Sequence, residues 1–221
     1  MTQNIQLLPI KTQASPYWDS LVRIYRESFP INEQRPVESI ARLITEEPRY
    51  TLYAVIDDDA DTKEASVATT EPLGSPRSTT LTSFSHPEGT LNPKHYTLNT
   101  KQPTGFLTTW EFTDFTYIEH FAIDPEMRSK GYGSKTMRTF IRQQEKPIVL
   151  EAEPPTNELT RRRIRFYERQ GLALYDFPYM QPAYTEESQP VELHLMGTIN
   201  THTTPLIHVS NTLHREVYKC R

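Results

Sequence analysis

The sequence predicts an α/β fold in which a mixed β-sheet carries helices on both of its faces. Two kinds of segment alternate along the chain: stretches with apolar residues at helical spacing, and short runs rich in β-branched and aromatic residues. One helical stretch joins two such runs, the connection that neighbouring parallel strands require. The predicted order of elements is β-α-α-β-β-β-α-β-α-β-β, with a long polar insertion between the second and third strands.

The N-terminal part predicts an edge strand, two helices and a second strand. Residues 3–10 alternate weakly between apolar and polar, which favours an edge strand. Pro16 suits the first position of a helix, whose apolar stripe continues until Pro30 closes the segment. A shorter helix follows Pro36, and the β-branched and aromatic run at 50–56 predicts the second strand.

Residues 57–101 interrupt this pattern. The stretch opens with three aspartates and is rich in Thr, Ser, Pro, Asp and Glu, while its large apolar residues are scattered. Such a composition buries too little apolar surface to offset the entropy of ordering, so we predict a flexible insertion. If the strands at 50–56 and 105–112 are antiparallel neighbours, the insertion is an enlarged hairpin loop, whose closure cost grows slowly with length.

The second half of the chain predicts strands and helices in alternation. Its strands are expected at 117–123, 147–153, 172–177 and 191–196, and its helices after residue 131 and at 156–170, where Gly171 is the helix stop. We assign residues 1–197 to a single domain interrupted by the insertion. Residues 198–221 form a C-terminal tail in which 211–218 predict a short helix. This tail either covers the core or exchanges with a partner chain, so a homodimer stays open.

Composition argues against several classes of protein. The net charge of −4 argues against a surface for nucleic acid or an anionic membrane. No stretch approaches about 18 apolar residues, and the N-terminus lacks a signal-peptide pattern, so we expect no membrane span. Cys220 is the only cysteine, which excludes an internal disulfide, and no Cys/His cluster has zinc spacing, so we expect no metal site. A reducing, cytoplasmic setting follows.

The most informative stretch lies between the strand at 117–123 and the helix that follows residue 131. A basic loop with two glycines separates them, and its residues are Arg128, Ser129, Lys130, Gly131, Tyr132, Gly133 and Ser134. A helix start after such a loop presents free backbone N–H groups to an anion, and glycine lets a phosphate approach the backbone. The loop therefore predicts a pyrophosphate cradle. It matches neither the P-loop nor the three-glycine dinucleotide fingerprint.

Two motifs resemble one protein family. The order Arg-x-x-Gly-x-Gly at 128–133, after a strand that ends in Ala-Ile-Asp-Pro, resembles the acetyl-CoA-binding loop of the GNAT superfamily of N-acetyltransferases. Further along the chain, Phe-Tyr-Glu-Arg-x-Gly-Leu at 166–172 resembles the Tyr-Glu-x-x-Gly-Phe signature in the last core helix of that superfamily. The order of elements is also similar, so the resemblance covers most of residues 1–197 outside the insertion.

The resemblance implies a donor, an acceptor and roles for individual residues. Acetyl-CoA would donate its acetyl group to a primary amine of a small molecule or a protein by direct attack on the thioester, and a donor with a longer acyl group stays open. Phe121, Ala122 and Ile123 would hold the pantetheine arm and polarise the thioester carbonyl, while the loop at 128–134 binds the pyrophosphate. Tyr167 would protonate the leaving thiolate, since a phenol with a pKa of ~10 is protonated at neutral pH.

The base that removes the amine proton has several candidates. Family members place a carboxylate on the central strand or its neighbour, and Glu119, near the middle of the central strand, is the first choice. Glu153 and Glu151 on the next strand are the second and third choices. His120 titrates near neutrality, but we favour a structural role for it. Side chains of adjacent residues face opposite sides of a regular strand, so Glu119 and His120 would not both face the cleft.

The sequence does not decide which residues bind the acceptor, and it leaves two rival functions. Candidates for the wall of an acceptor pocket are Glu27, Phe29, Glu33, Tyr179 and Tyr184. The basic run at 161–165 predicts a solvated helix face, with one arginine near the coenzyme phosphates, rather than a nucleic-acid surface. One rival function is an acetyl-CoA-binding regulatory module without catalysis. The other is an interaction protein that works through residues 57–101.

Overall fold

An eight-stranded mixed sheet lies at the centre of the computed structural model, which describes residues 4–58, 101–186 and 188–219. Most of the predicted insertion at 57–101 lies outside these residues, as does Cys220. The strands are β1 (Ile5–Ile10), β2 (Tyr50–Asp57), β3 (Gly105–Glu111), β4 (Thr116–Ile123), β5 (Ile148–Ala152), β6 (Ala173–Leu174), β7 (Tyr179–Gln181) and β8 (Val191–Gly197). The helices are α1 (Trp18–Ser28), α2 (Val37–Glu46), α3 (Tyr132–Gln143), α4 (Glu158–Glu168) and α5 (Leu206–Thr212), which continues as a π-helical turn (Leu213–Val217).

The strand order across the sheet is β1-β2-β3-β4-β5-β8-β6, and β7 also pairs with β8. Among the described strands, β4 and β5 are parallel neighbours joined through α3, and the other pairs are antiparallel. β2 and β3 pair with Tyr50 opposite Trp110, so the strands that flank the insertion are antiparallel neighbours. The predicted class, a mixed sheet flanked by helices, is confirmed. No helix within the described ranges is long and apolar enough to cross a membrane.

Helices cover both faces of the sheet and divide the apolar core in two. We call the side of α1, α2 and α5 the front face, where Ile24, Ile40 and Val209 are buried. The side of α3 and α4 is the back face, where Met137 and Ile164 are buried. The apolar stripes of these amphipathic helices are thus removed from water against the sheet. Because α5 contributes to the front core, the C-terminal segment covers the core of its own chain.

The last strands and the last helix differ from the predicted bounds. The strand expected at 172–177 is reduced to the two residues of β6, and a further short strand, β7, follows it. Pro178 lies between them and has no N–H to donate, so this edge cannot pair continuously along β8. The last helix begins at Leu206, earlier than predicted, because Pro205 fixes the backbone immediately before it.

Candidate active site

One cleft crosses the sheet where β4 and β5 separate. The parallel pairing of these strands ends at Ile118 and Leu150. The cleft that follows encloses about 730 Å³ and is lined by residues from both faces. The predicted site residues in its lining are Glu119, Phe121, Ala122, Ile123, Arg128, Ser129, Gly131, Tyr132, Gly133, Ser134 and Tyr167, and Lys130 lies outside it.

A β-bulge in β4 lies where the cleft begins. Thr109 pairs with Ile118 and Thr108 pairs with His120, so Glu119 is an extra residue without a partner in β3. The bulge shifts the alternation of side chains by one. Glu119 and His120 therefore both lie on the front face, with His120 Nδ1 4.0 Å from Glu119 Oε2. The expectation that they face opposite sides is wrong, because it assumed a regular strand.

Beyond the bulge, β4 offers a backbone edge to the cleft. The N–H of Asp124 donates to the Thr104 carbonyl on the β3 side, at 2.9 Å. Because successive residues of a strand point their N–H groups to opposite sides, the N–H groups of Phe121 and Ile123 face the cleft. Such an edge can bind the amide groups of an extended ligand as an added strand would.

The loop after β4 delivers backbone N–H groups at the start of α3. Gly131 precedes the helix with a φ of 87°, a left-handed conformation that residues with a Cβ rarely adopt. The N–H groups of the first helical turn have no carbonyl within the helix to donate to, and they lie at the cleft. At Gly133 a Cβ would lie 3.6 Å from Ile123 and Phe166, so a larger side chain would fill this space. The geometry suits an anion.

The side chains of this loop differ in what they offer a ligand. Arg128 lies at the cleft, where its Nε donates to the Ile123 carbonyl at 3.1 Å and its Nη2 donates to Ser28 Oγ at 3.0 Å. Tyr132 turns its ring into the protein, where its hydroxyl donates to Asp57 at 2.7 Å. Burial and the Asp57 carboxylate raise the pKa of Tyr132 to about 12. Only the backbone of Tyr132 is therefore available to a phosphate.

Helix α4 is fixed at both ends and holds Tyr167 at the cleft. Asn157 caps its N-terminus through reciprocal hydrogen bonds with Thr160. Gly171, with a φ of 91°, ends the helix as predicted. The Leu172 N–H then donates back to the Tyr167 carbonyl at 3.2 Å, as in a Schellman motif.

The Tyr167 hydroxyl is a free proton donor on the back side of the cleft. Its ring packs in the back core beside Phe166, with 5.2 Å between ring centroids. Within the part of the chain that the structure describes, its hydroxyl has no hydrogen-bond partner. Burial raises the pKa of this phenol, so it stays protonated at neutral pH.

Glu119, the first candidate for the base, is buried and held by four donors. Its side chain is 0% exposed. Oε1 accepts from Arg35 Nε at 2.9 Å, from Arg35 Nη2 at 2.7 Å and from the Tyr184 hydroxyl at 3.0 Å, and Oε2 accepts from Trp110 Nε1 at 2.8 Å. These contacts fill Oε1 and leave one acceptor position on Oε2, which lies on a side chain without exposed surface. Burial would raise the pKa of Glu119, but Arg35 and the other donors hold it below its usual value.

His120 is a buried ring packed among aromatic side chains. Tyr25 and Phe29 lie edge-on to it, each with 4.9 Å between ring centroids. Thr108 Oγ1 lies 3.3 Å from its Nδ1, and the Tyr25 hydroxyl lies 3.3 Å from its Nε2. Burial lowers the pKa of His120, so the imidazole is uncharged at neutral pH. These contacts suit a structural histidine.

Glu151 reaches the cleft from β5 on the front face and lies among tyrosine hydroxyls. Tyr117 and Tyr218 each donate to its Oε2 at 2.7 Å, and Tyr179 donates to its Oε1. These donors fill three of the carboxylate's acceptor sites and leave about one free. Burial raises the pKa of Glu151 to about 7, although the three hydrogen bonds favour the ionised form. The carboxyl therefore titrates in the range that suits a general base.

Glu153, the second candidate for the base, pairs with Arg163 of the basic run at 161–165. Two other arginines of that run, Arg161 and Arg165, pair with Glu158 of the same helix at 3.6 and 2.8 Å. These contacts fit the expected solvated helix face, and Arg163 alone of the three lines the cleft.

Three of the five candidates for an acceptor wall line the cleft, namely Phe29, Glu33 and Tyr184. Glu27 pairs with Arg23 outside the cleft lining at 2.8 Å. Tyr179 contributes through its hydrogen bond to Glu151. Glu33 is half-buried, and burial raises the pKa of its carboxyl.

Four side chains that build the front side of the site are absent from the sequence-based candidates: Arg35, Trp110, Tyr117 and Tyr218. They come from the segment before α2, from β3, from β4 and from the C-terminal segment. Their roles depend on which side chains meet in the folded chain, and no spacing along the sequence encodes that.

This chain is similar to known acetyltransferases in sequence and in structure. The family model for the Acetyltransferase (GNAT) family matches residues 18–172. A solved structure from Bacteroides thetaiotaomicron, assigned to the GNAT family of acetyltransferases, is 27% identical, has a TM-score of 0.74 and covers 99% of both chains. Arabidopsis thaliana NAA60 in complex with acetyl-CoA is 14% identical, with a TM-score of 0.53, over 88% of this chain and 98% of that chain. An acetyltransferase from Thermus thermophilus is 9% identical, with a TM-score of 0.51, over 88% and 96%. A search of curated proteins finds no match.

Proposed function

Since the chain belongs to the Acetyltransferase (GNAT) family, we propose that it moves the acetyl group of acetyl-CoA to a primary amine that attacks the thioester directly. The observation that carries this proposal is one continuous cleft, which connects the anion cradle at the start of α3 with the carboxylate of Glu151. The backbone edge of β4 runs between these two ends. The three features match the groups that acetyl transfer must accommodate. The cradle suits the pyrophosphate of the coenzyme, the β4 edge suits its thioester arm, and the carboxylate suits the proton of the amine.

The cofactor would bind along the back side of the cleft. Its pyrophosphate would take the first-turn N–H groups of α3, with Arg128 as the nearby cation. Its pantetheine amides would pair with the β4 edge at Phe121 and Ile123, the residues on either side of Ala122. An N–H group of the same edge would stabilise the negative charge that develops on the thioester oxygen.

The reaction would then be a direct displacement with an acid and a base on opposite sides of the gap. The amine nitrogen forms a bond to the acetyl carbon, and the bond from that carbon to sulfur breaks. Glu151 on the front side takes the proton that the amine loses, and Tyr167 on the back side protonates the thiolate. The unpartnered, protonated hydroxyl of Tyr167 suits this role.

Glu151 is favoured over Glu119 as the base. Glu119 has four hydrogen-bond contacts and a lowered pKa, so it is a weak acceptor for a further proton. Glu151 has three contacts and a pKa of about 7. We propose that Glu119 instead anchors Arg35 behind the bulge of β4.

The acceptor would enter on the front side, past Phe29, Glu33 and Tyr184. An aromatic and acidic wall attracts a cation, so a cationic amine fits it better than an anionic one. A positive group beside Glu33 would also stabilise its carboxylate and so offset the effect of burial, which raises the pKa of this carboxyl. A non-catalytic acetyl-CoA-binding module is less favoured, since it gives no role to a carboxyl that titrates near neutrality at the end of the cleft.

Calorimetric titration with acetyl-CoA and an assay of free-thiol release test the proposal together. The acceptors are 1,4-diaminobutane, lysine and a peptide with a free N-terminal alanine. We expect binding of acetyl-CoA and thiol release that depends on an amine. No binding at millimolar acetyl-CoA would exclude the cofactor, and binding without thiol release for any amine would favour the non-catalytic module. Tyr167→Phe should lower turnover more than acetyl-CoA affinity, and unchanged turnover would remove Tyr167 from the acid role.

A further inference from the structure

The C-terminal segment at 206–219 lies against the reactive side of the cleft, although the family match ends at residue 172. Val209, Leu213 and Val217 are buried in the front core and fix the segment on the sheet. The segment ends in a π-helical turn, in which the Tyr218 N–H donates to the Leu213 carbonyl at 3.2 Å. Such turns are rare and occur frequently at functional sites.

Two groups at the end of this segment contact the charged residues of the site. The Tyr218 hydroxyl donates to Glu151 Oε2 at 2.7 Å and lies 3.0 Å from the Tyr117 hydroxyl. The Val217 carbonyl accepts from Arg35 Nη2 at 3.1 Å, and the same nitrogen donates to Glu119. The segment therefore contacts one front-side carboxylate directly and the other through Arg35.

We propose that the C-terminal segment is a working part of the acetyl-transfer site, in which Tyr218 positions the Glu151 carboxylate for the amine. This inference rests on the proposed function. The hydroxyl of Tyr218 fixes the direction of the carboxylate and stabilises its ionised form, which is the form that accepts a proton. The ring of Tyr184 packs against the ring of Tyr218, with 5.1 Å between centroids, and so links the same residue to the acceptor wall.

The other groups that face Glu151 come from two elements. Tyr117 of β4 and Tyr179 of β7 also donate to the carboxylate, and Glu119 of β4 raises its pKa by like charge. Because Tyr117 and Tyr179 remain when Tyr218 is changed, the loss of the Tyr218 hydroxyl should move the titration of Glu151 without releasing the side chain.

Tyr218→Phe removes only this hydroxyl, and Tyr175→Phe is its matched control. Tyr175 is also buried, but its hydroxyl donates to the Ile199 carbonyl at 3.1 Å instead of to a carboxylate of the site. The pH dependence of kcat/KM is measured with the best amine of the acceptor panel, and acetyl-CoA affinity is measured by calorimetry. In Tyr218→Phe the acid limb of this profile should move up by about one pH unit. Below the inflection kcat/KM should therefore fall by about tenfold, and at alkaline pH it should largely recover. Acetyl-CoA affinity should stay within about twofold of wild type, since Tyr218 lies on the front side.

An unchanged acid limb in Tyr218→Phe would overturn the proposal. So would an equal loss at every pH, or a profile that Tyr175→Phe reproduces, because either result indicates a structural role only. Carboxyl NMR of ¹³C-glutamate-labelled protein, with the Glu151 signal assigned from Glu151→Gln, gives a readout that needs no acceptor. If the wild-type protein acetylates no amine, the proposed function fails, while this titration still shows whether Tyr218 controls the Glu151 carboxyl. An identical Glu151 titration in both proteins would again overturn the role of Tyr218.

Discussion

The two sides of the cleft are built from different parts of the sequence. The side proposed for the cofactor, called the cofactor side, uses one continuous stretch, 121–134, together with the adjacent helix α4, and its groups are mainly backbone N–H groups. The front side brings together Arg35, Glu119, Glu151 and Tyr218, which are spread over most of the chain. A site made from backbone geometry can be local, whereas a site made from buried charges needs partners from distant segments.

The two sides should also respond differently to amino-acid substitutions. Backbone N–H groups at a helix start carry partial charge without the burial of an ion. The front side buries a guanidinium and a carboxylate, whose desolvation is offset only while both partners are present. We therefore expect changes at the start of α3 to affect acetyl-CoA binding, and front-side changes to affect turnover, folding or titration.

The largest expected effect is that of Glu151→Gln on turnover. The amide keeps the size of the side chain but cannot take the amine proton, so turnover should fall by about 10²–10⁴-fold. Acetyl-CoA affinity should not change, because Glu151 lies on the front side. Steady-state thiol release and calorimetry measure the two quantities. Equal turnover in Glu151→Gln, with a selective loss in Glu119→Gln, would return the base role to Glu119.

The second effect is on folding, through the ion pair of Arg35 and Glu119. Arg35→Met leaves a fully buried carboxylate without its cation, so the free energy of unfolding should fall by about 3–5 kcal/mol. Arg215→Met is the control: Arg215 is 66% exposed and pairs with Glu216 at the surface, so about 0–1 kcal/mol is expected. Urea unfolding measures both.

A double variant sharpens this comparison. Glu119→Leu in the Arg35→Met background removes the unpaired carboxylate, so part of the lost stability should return. If Arg35→Met lowers the free energy of unfolding no more than Arg215→Met does, the stability of the front side does not depend on its buried ion pair, and the contrast between the two sides disappears.

Local patterns predicted much of the fold and the glycine loop before α3. Helical spacing and β-branched runs predicted the helices and the central strands, and the insertion was predicted between β2 and β3. Gly131 and Gly171 have the positive φ values that their places at helix ends suggest. These features depend on a few neighbouring residues, so a sequence read in short windows contains them.

The front side depends on register and on long-range contacts. The bulge that places Glu119 and His120 on one face comes from the pairing of β4 with β3, and no residue type in β4 indicates it. The hydrogen bond from Tyr218 to Glu151 joins residues 67 positions apart. The choice between Glu119 and Glu151 follows from the donors around each carboxylate, and those donors come from distant segments.

On the cofactor side, Gly133→Val should weaken acetyl-CoA binding with little effect on the fold. The Cβ meets only ordinary contacts at 3.6 Å, but the branched side chain would occupy the space where a phosphate approaches the helix start. We expect acetyl-CoA affinity to fall by about tenfold or more, as for the loss of one or two charge-assisted hydrogen bonds. Arg138→Val, at an exposed position of the same helix, controls for the presence of a β-branched residue in α3. Equal affinity in Gly133→Val would move the phosphate site away from the start of α3.

The smallest expected effect is on the pH dependence of stability, and it separates the two front-side carboxylates. The pKa of Glu151 is raised from 4.5 to about 7, so between these values the folded protein binds more protons than the unfolded chain. The stability that this group contributes is fully present below its unfolded pKa and is lost as the pH rises through about 7. Because charges in protein interiors are stabilised more than a dry apolar medium would allow, we expect a fall of only about 1–2 kcal/mol between about pH 5 and pH 8.

Urea unfolding of the wild type, Glu151→Gln and Glu119→Gln over this range isolates the effect, since difference curves cancel the groups that all three proteins share. Glu151→Gln should remove the fall, because an amide does not titrate. The pKa of Glu119 is lowered, so its stabilising contribution is lost only at more acidic pH, and its difference curve should be flat over the same range. If the difference curve between the wild type and Glu151→Gln were flat as well, Glu151 would titrate at its ordinary pKa. Both front-side carboxylates would then be ionised throughout, and the tyrosine hydroxyls around Glu151 would hold a carboxylate no better suited than Glu119 to take the proton of an amine.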